Sequence, residues 1–253
     1  MDEVESVMSL TQTQQLQLNH RSVRRFQSRP LEPGQLEELI RCGQAAATSS
    51  FIQAYSVVRV TRPEARSAIA AAAGGQVWIE KAAEFLVFCA DLRRINAACE
   101  RAGRGGLEGN SEHALAALID VALMAQNVFL AAESQGLGGV YIGGIRNAPQ
   151  VIVDQLALPK WVMPVFGMCL GWPDQDNEIK PRMPVDFVLH QDSYQEASDE
   201  RMAEYDAEMA AYYASRGANI KLSDWSNATA KAMQSKKREH MLGFLRAQGF
   251  FMC

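Results

Sequence analysis

The chain has 253 residues, of which 48% are hydrophobic and 21% charged, with a formal net charge of −4 and a pI near 5.7. That length supports one large core, or one domain with an appendage. The acidic balance argues against a nucleic-acid binder that works through a strongly basic face.

Met1 to Asn19 is acidic and then Gln-rich. It lacks the basic and apolar regions of a signal peptide, and no run of the chain approaches the ~20 apolar residues of a membrane span. Gln12 to Leu18 reads as a short helix. His20-Arg21-Ser22-Val23-Arg24-Arg25-Phe26 follows, a local cluster of cations in an acidic chain. Planar guanidinium forks suit a phosphate or another oxyanion. With the second basic pair in Lys180-Pro181-Arg182, the cluster points to a phosphorylated small molecule; alone it reads equally as a solvated basic turn.

Pro30 and Pro33-Gly34 punctuate the next stretch. Leu36 to Ala47 has helical periodicity, and Thr48-Ser49-Ser50 ends it. Tyr55 to Val60 is a β-branched strand. Pro63 to Ala73 is an Ala-rich helix closed by Gly74-Gly75. Phe85 to Ala90 has strand length, and Arg101 to Gly109 is expected to be a mobile Gly-rich loop. His113 to Gln135 is the longest predicted helix. It is apolar on nearly every side, so it belongs in a core or a dimer interface. Gly136 to Gly144 and Val162 to Leu170 read as strands, and Asp174 to Pro184 as a loop.

Asp199 to Ser215 is an amphipathic helix, followed by a basic tail with Lys221, Lys231, Lys236, Lys237 and Arg238. Strands separated by helices predict an α+β fold with helices covering a mixed sheet. Residues 1–190 form the expected core. Residues 191–253 form an extension expected to reach a partner, having few apolar residues for a core of their own.

The motifs exclude several chemistries. Gly138 to Gly144 has the wrong spacing for a dinucleotide fingerprint and carries no P-loop Lys-Ser/Thr. It does offer a backbone free of side chains at Gly143-Gly144, open either to close approach of a flat ring or to a simple turn. The four histidines show no metal spacing, and Gly-x-Ser-x-Gly is absent. Ser49-Ser50 reads as a polar turn after a helix. Asp91 and Asp120 stand as isolated carboxylates. Cys89 and Cys169, two of five cysteines with no CxxC pair, lie in apolar runs and read as core residues, which fits a reducing cytoplasm. An enzyme with this inventory needs a cofactor to carry its chemistry.

Seven segments in order carry a resemblance. They are His20-Arg21-Ser22-x-Arg24-x-Phe26, Ser49-Ser50-Phe51-x-Gln53, Gly74-Gly75-Gln76, Met124-Ala125-Gln126-Asn127, and Gly138 to Gly144 with Arg146-Asn147. Gly167-x-x-x-Gly171-Trp172-Pro173 and Lys180-Pro181-Arg182-x-Pro184 complete the set. From about residue 15 to its end the chain resembles the FMN-dependent nitroreductases, in the branch of oxygen-insensitive NADPH nitroreductases and NADPH–flavin oxidoreductases.

The resemblance implies a nitroreductase-like fold with a mainly antiparallel sheet, and a homodimer with two FMN sites at the subunit interface. His20, Arg24, Lys180 and Arg182 would surround the FMN phosphate. Arg21 and Gln76 would face the pyrimidine edge, and Ser22 the ribityl chain. The main chain around Tyr141, Ile142, Gly143 and Gly144 would lie beside the ring. Thr48, Ser49 and Ser50 would come from the other subunit; Thr48 departs from the usual serine but keeps the hydroxyl.

Ser50, Phe51, Arg146 and Arg238 would line the substrate mouth, while Arg216 and Lys221 would hold the 2′-phosphate of NADPH. Leu222 stands where the family often has a further basic residue. No metal is implied, nor a nucleic-acid or membrane partner. The implied activity is ping-pong, two-electron reduction of nitroaromatics, quinones and related acceptors. The alternatives are an NADPH–flavin oxidoreductase supplying reduced flavin and a non-catalytic flavin-binding protein.

Overall fold

The computed structural model describes residues 9–216, 222–235 and 238–253. The chain divides into two compact units, one of residues up to Asn177 together with 238–253, the other of residues 178–237. The first unit therefore ends before residue 190, and the last sixteen residues return to it. Its elements in order are α1 (Gln12–Leu18), α2 (Gln35–Gln44), β1 (Tyr55–Arg59), α3 (Pro63–Ala72), α4 (Trp78–Lys81), β2 (Glu84–Asp91) and α5 (Arg93–Arg101). Then come α6 (Ser111–Ser134), β3 (Gly138–Ile142), α7 (Pro149–Leu156) and β4 (Val162–Gly171). The second unit holds α8 (Asp199–Ser215) and α9 (Trp225–Ser235), and the first closes with α10 (Met241–Ala247).

The four strands form one sheet in the order β1-β2-β4-β3. Every strand pair is antiparallel; the parallel contribution is the single bridge Ser22↔Gly139 on the outer edge of β3. All eight residues of β2 are buried, and their alternation serves two cores. Leu86, Phe88 and Ala90 face the layer of α2 and α6. Phe85, Val87 and Cys89 face the layer of α3 and α7. Burial pushes the Cys89 thiol up to about 12 and raises that of Cys169, so both behave as core residues.

The β2–β4 register slips between Phe88 and Cys89, so Val165 of β4 has no opposite residue. Pro164 stands beside this bulge, where a missing N–H costs the ladder least.

Helix α6 starts at Asn110, whose side chain accepts from the His113 N–H at 2.9 Å. Val128 and Met124 press so closely on α2 that a Cβ at Gly43 would lie 2.4 Å from Val128 Cγ2. By length and composition alone α6 could cross a membrane, which corrects the expectation that no run comes near a span; half of its apolar window is buried within this chain. Leu115, Ile119 and Leu123 remain 49%, 57% and 45% exposed. Their four-residue spacing makes one apolar stripe.

The Gly-rich stretch after α5 is tied down at two points. Leu107 N–H donates to Asn96 Oδ1 at 2.7 Å, and Met252 N–H donates to the Gly109 carbonyl at 2.8 Å.

The second unit has a small core of its own, which the sequence reading did not foresee. Tyr205, Met209 and Tyr213 are buried, with Met183, Phe187, Tyr212 and Trp225 packed against them. Those three α8 residues repeat at a spacing of four, which is enough to seat one amphipathic helix.

Candidate active site

The segment 20–27 runs along the free edge of β3 and on past the end of β4. Val23 N–H donates to the Gly139 carbonyl at 2.7 Å, and Gln27 N–H to the Trp172 carbonyl at 2.9 Å. Gly138 has no room for a side chain, since a Cβ there would lie 2.6 Å from Val23 Cγ2. Val23 is thus wedged into the strand, which fixes where its polar neighbours emerge.

Residues 174–177 strap the segment from outside. Gln175 Oε1 accepts from the N–H groups of Arg24 and Arg25 at 3.0 and 2.6 Å. Asn177 Nδ2 donates to the Ser22 carbonyl at 2.9 Å, and Arg21 Nη1 pairs with Asp176 at 3.0 Å. Arg21 Nε is buried and has no partner among the described residues. His20 Nδ1 lies 2.7 Å from Glu133 Oε1, and its ring meets Phe129 edge-on at 5.2 Å.

From Arg24 two close approaches, joined through the chain between Trp78 and Gln76, lead to the glycine turn. The Arg24 guanidinium lies 5.8 Å from the centre of the Trp78 ring, a cation–π distance. Two residues before Trp78, Gln76 donates to the Ala73 carbonyl at 2.9 Å. Gly144 sits directly against both groups. A Cβ there would be 2.2 Å from Gln76 Nε2 and 2.5 Å from Ala73 O, so only glycine admits this approach.

At Gly143 a Cβ would be 3.3 Å from Arg146 Nη2. Arg146 Nη1 donates to Val165 O at 2.7 Å, the residue that the β-bulge leaves without an opposite partner. Arg238 Nη2 donates to Gly143 O at 3.2 Å and to Asn147 Oδ1 at 2.9 Å. His240 Nε2 donates to Arg146 O at 3.1 Å. Burial, and then the Arg238 charge, lower the Arg146 guanidinium below its ordinary value.

The first unit thus brings together His20, Arg21, Ser22, Arg24, Gln76, Gly143, Gly144, Arg146 and Arg238. The neighbouring Tyr141 and Ile142 turn their side chains away. Tyr141 stacks on Phe129 at 5.2 Å and donates to Gln126 at 3.3 Å, while Ile142 is fully buried. Only their main chains are available to a ligand. Burial, and then the charge of Glu133, raise the Tyr141 phenol.

Thr48, Ser49, Ser50 and Phe51 lie elsewhere on the unit. Ser49 N–H donates to Asp120 Oδ1 at 2.9 Å, thirteen residues along α6 from Glu133, or about 20 Å of helix. Phe51 is 80% exposed, and Thr48 Oγ1 is buried without a partner among the described residues. Lys180, Arg182 and Arg216 belong to the second unit, with Lys180 Nζ 5.4 Å from the Tyr213 ring and Arg216 5.9 Å from the Tyr212 ring. Lys221 lies outside the described residues.

Sequence reasoning did not name Glu133, Trp78 or Gln175, gave Asn147 no role beyond its place in a motif, and set Asp120 aside. One signal was available for Asp120: a lone acid in the apolar run from Ala114 to Ala125 has to find partners when buried.

A four-stranded antiparallel sheet layered by helices, with a cationic segment on its edge beside a glycine turn, defines an α+β protein built to hold an anionic, flat ligand. Residues 18–172 match the Nitroreductase family and residues 180–252 match the Nitroreductase family C-terminal domain, so the chain belongs to the nitroreductase family.

The chain is 40% identical over 241 residues to an oxygen-insensitive NADPH nitroreductase of Salmonella typhimurium, covering 95% of this chain and 99% of that one. Nitroreductase A from Vibrio parahaemolyticus is similar in structure, with a TM-score of 0.89 at 41% identity over 97% of this chain and 100% of that one. The NADPH:FMN oxidoreductase from Vibrio harveyi, solved with NAD+, gives a TM-score of 0.86 at 40% identity over 95% of this chain and 99% of that one.

Proposed function

We propose that the protein is an FMN-dependent, NADPH-oxidising two-electron reductase of nitroaromatics, quinones and related electron-poor acceptors, acting by a ping-pong mechanism as a cytoplasmic homodimer. The observation that carries this reading is the contact series from Arg24 through Trp78, Gln76 and Gly144 to Arg146 and Arg238. It joins an anion-binding segment to a bare stretch of main chain.

The residues fit FMN on the chain's own terms. Among the described residues Arg21 Nε is a buried donor without a partner, and Gly143 and Gly144 form a half-buried turn with no side chains of their own. When bound, FMN supplies the two-electron chemistry, accepting hydride from NADPH and passing it to the acceptor.

His20 and Arg24 would hold the phosphate through charge-assisted hydrogen bonds. Arg21 and Gln76 would offer N–H groups to the pyrimidine edge, where positive charge favours the reduced ring. Ser22 would hold the ribityl chain. The main chain at Gly143, in the turn that Arg238 braces with Asn147, would lie beside the ring. Arg146 and Arg238 border the acceptor mouth together with Ser50 and Phe51. The assignments of Lys180 and Arg182 to the phosphate, and of Arg216 and Lys221 to the NADPH 2′-phosphate, rest on the family resemblance alone.

Two observations support the homodimer. The exposed Leu115–Ile119–Leu123 stripe of α6 is an apolar face fit for burial. His20 and Ser49 are anchored to α6 at points about 20 Å apart, so one chain holds the two sets of site residues apart and a second copy can bring them together. Free cysteines, two of them fully buried, support a reducing cytoplasm.

Anaerobic stopped-flow absorbance of the purified protein tests the reading. NADPH should bleach the flavin band and nitrofurazone should restore it. Arg24→Ala should release FMN, and stoichiometric flavin in that variant would refute the phosphate role. A yellow protein that NADPH cannot bleach would be a non-catalytic flavin-binding protein. The name of the Vibrio harveyi relative favours a second enzymatic reading, supply of reduced flavin. Faster turnover with free FMN than with nitrofurazone would select it.

A further inference from the structure

Asp120 is buried to 0% exposure, the most deeply enclosed acidic side chain among the described residues. Its helix neighbours Ala117, Val121 and Met124 are core residues at 0–1% exposure. Nothing in that apolar face calls for an acid, and a carboxylate there is costly unless its oxygens are satisfied. Both oxygens are satisfied by one short segment: Oδ1 accepts from Ser49 N–H at 2.9 Å and Oδ2 from Ala54 N–H at 3.1 Å.

The two bonds bracket the densest run of left-handed non-glycine residues among those described. Ser50, Phe51 and Gln53 have φ of 46°, 57° and 52°, values that side-chain-bearing residues adopt only when the surroundings enforce them. The enforced shape also leaves Phe51 80% exposed, a large apolar ring presented outward.

We propose that Asp120 is a positioning residue that staples residues 49–54 into this shape and thereby sets how Ser49, Ser50 and Phe51 meet cofactor and acceptor. The inference rests on the proposed reductase function for its catalytic consequence, but the staple itself is tested without turnover. Side-chain propensity would not hold three left-handed residues within four positions. The carboxylate does so because each oxygen fixes one backbone N–H on either side of them. A segment held this way presents Ser50 and Phe51 in one arrangement, so the acceptor meets a ready-made surface and pays less ordering cost on binding.

The test uses Asp120→Asn in the flavin-loaded protein. Asparagine keeps the size and one acceptor oxygen but turns an NH2 toward one of the two N–H groups. Amide hydrogen exchange of the peptide spanning 48–54 should speed up while that of β2 stays slow. The KM for nitrofurazone should rise about tenfold with kcat changed less than about twofold, the pattern of lost ground-state positioning. FMN is supplied in excess, so that every subunit is loaded when KM is read. Unchanged exchange across 48–54 would overturn the staple. Faster exchange with an unchanged KM would overturn the positioning role and leave Asp120 purely structural.

Should Asp120→Asn not fold, exchange of the wild-type Ser49 and Ala54 amides, the two that Asp120 accepts from, carries the test. Both should exchange as slowly as the β2 amides, and exchange as fast as that of exposed loop amides would overturn the staple. A wild-type protein that takes up no FMN would sink the proposed function, whereas the exchange measurement would still decide whether Asp120 holds the segment.

Discussion

Helix α6 anchors two groups of site residues in contrasting ways. Toward its C-terminal end, Glu133 pairs with His20 side chain to side chain, and the two are 11% and 28% exposed. Near its middle, the wholly buried Asp120 binds backbone N–H groups. The first anchor orients an imidazole that can still swing within a partly solvated site. The second fixes the path of the main chain itself. On the proposed function, a group that binds phosphate would gain from some adjustment as its ligand arrives, whereas a loop that presents Ser50 and Phe51 to a flat ring would gain from having one shape. The depth of each carboxylate matches the job its partner does.

The contrast makes graded predictions. Asp120→Ala should be the most damaging change on α6, because it strands two buried N–H donors; the expected loss is about 2–5 kcal/mol, read from urea unfolding. A loss comparable to that of Glu133→Gln would erase the distinction between the anchors. Gly144→Ala should cost about 1–3 kcal/mol by overpacking, since the Gln76 amide can swing aside but the Ala73 carbonyl, 2.5 Å from the added carbon, cannot. Flavin content should fall with it.

Glu133→Gln should cost less than about 1 kcal/mol, in keeping with a partly exposed pair, and should weaken FMN binding more than riboflavin binding in the apoprotein. Equal weakening of both would mean that Glu133 does not act through the phosphate. The smallest effect concerns Tyr141. Its phenol is raised by burial first and by Glu133 second. Its contribution to stability is therefore complete below the ordinary phenol value near ~10 and declines as pH rises above it. Tyrosinate absorbance should show Tyr141 ionising at lower pH in Glu133→Gln than in the parent protein.

Much of the architecture was legible in the residues. Helix α1 and helix α8 fall at the predicted positions, Gln12–Leu18 and Asp199–Ser215. All four strands lie within a residue or two of the apolar runs that announced them. Those elements have strong internal periodicity or sharp breakers such as Gly74-Gly75. Helix α5 was passed over because it buries no residue, and α4 because four residues are too few to show a period. The second unit's core was missed because its helix α8 meets apolar residues from beyond it, at Met183, Phe187 and Trp225.

The site divides along the same line. Composition and order alone identified the cationic segment at His20 to Arg24 and the bare glycines at 143 and 144, because their chemistry is written in adjacent residues. Asp120 and Glu133 could not be read that way. Their partners Ser49 and His20 are 71 and 113 residues distant, and nothing local distinguishes a carboxylate that will be solvated from one that will be enclosed. The sequence by itself determined where cations cluster, at His20 to Arg24, and where the backbone carries no side chains, at Gly143 and Gly144. Only the tertiary structure decided which carboxylates hold those groups in place. That choice follows from which backbone N–H groups the packing of α2, α6 and the sheet shuts away from water.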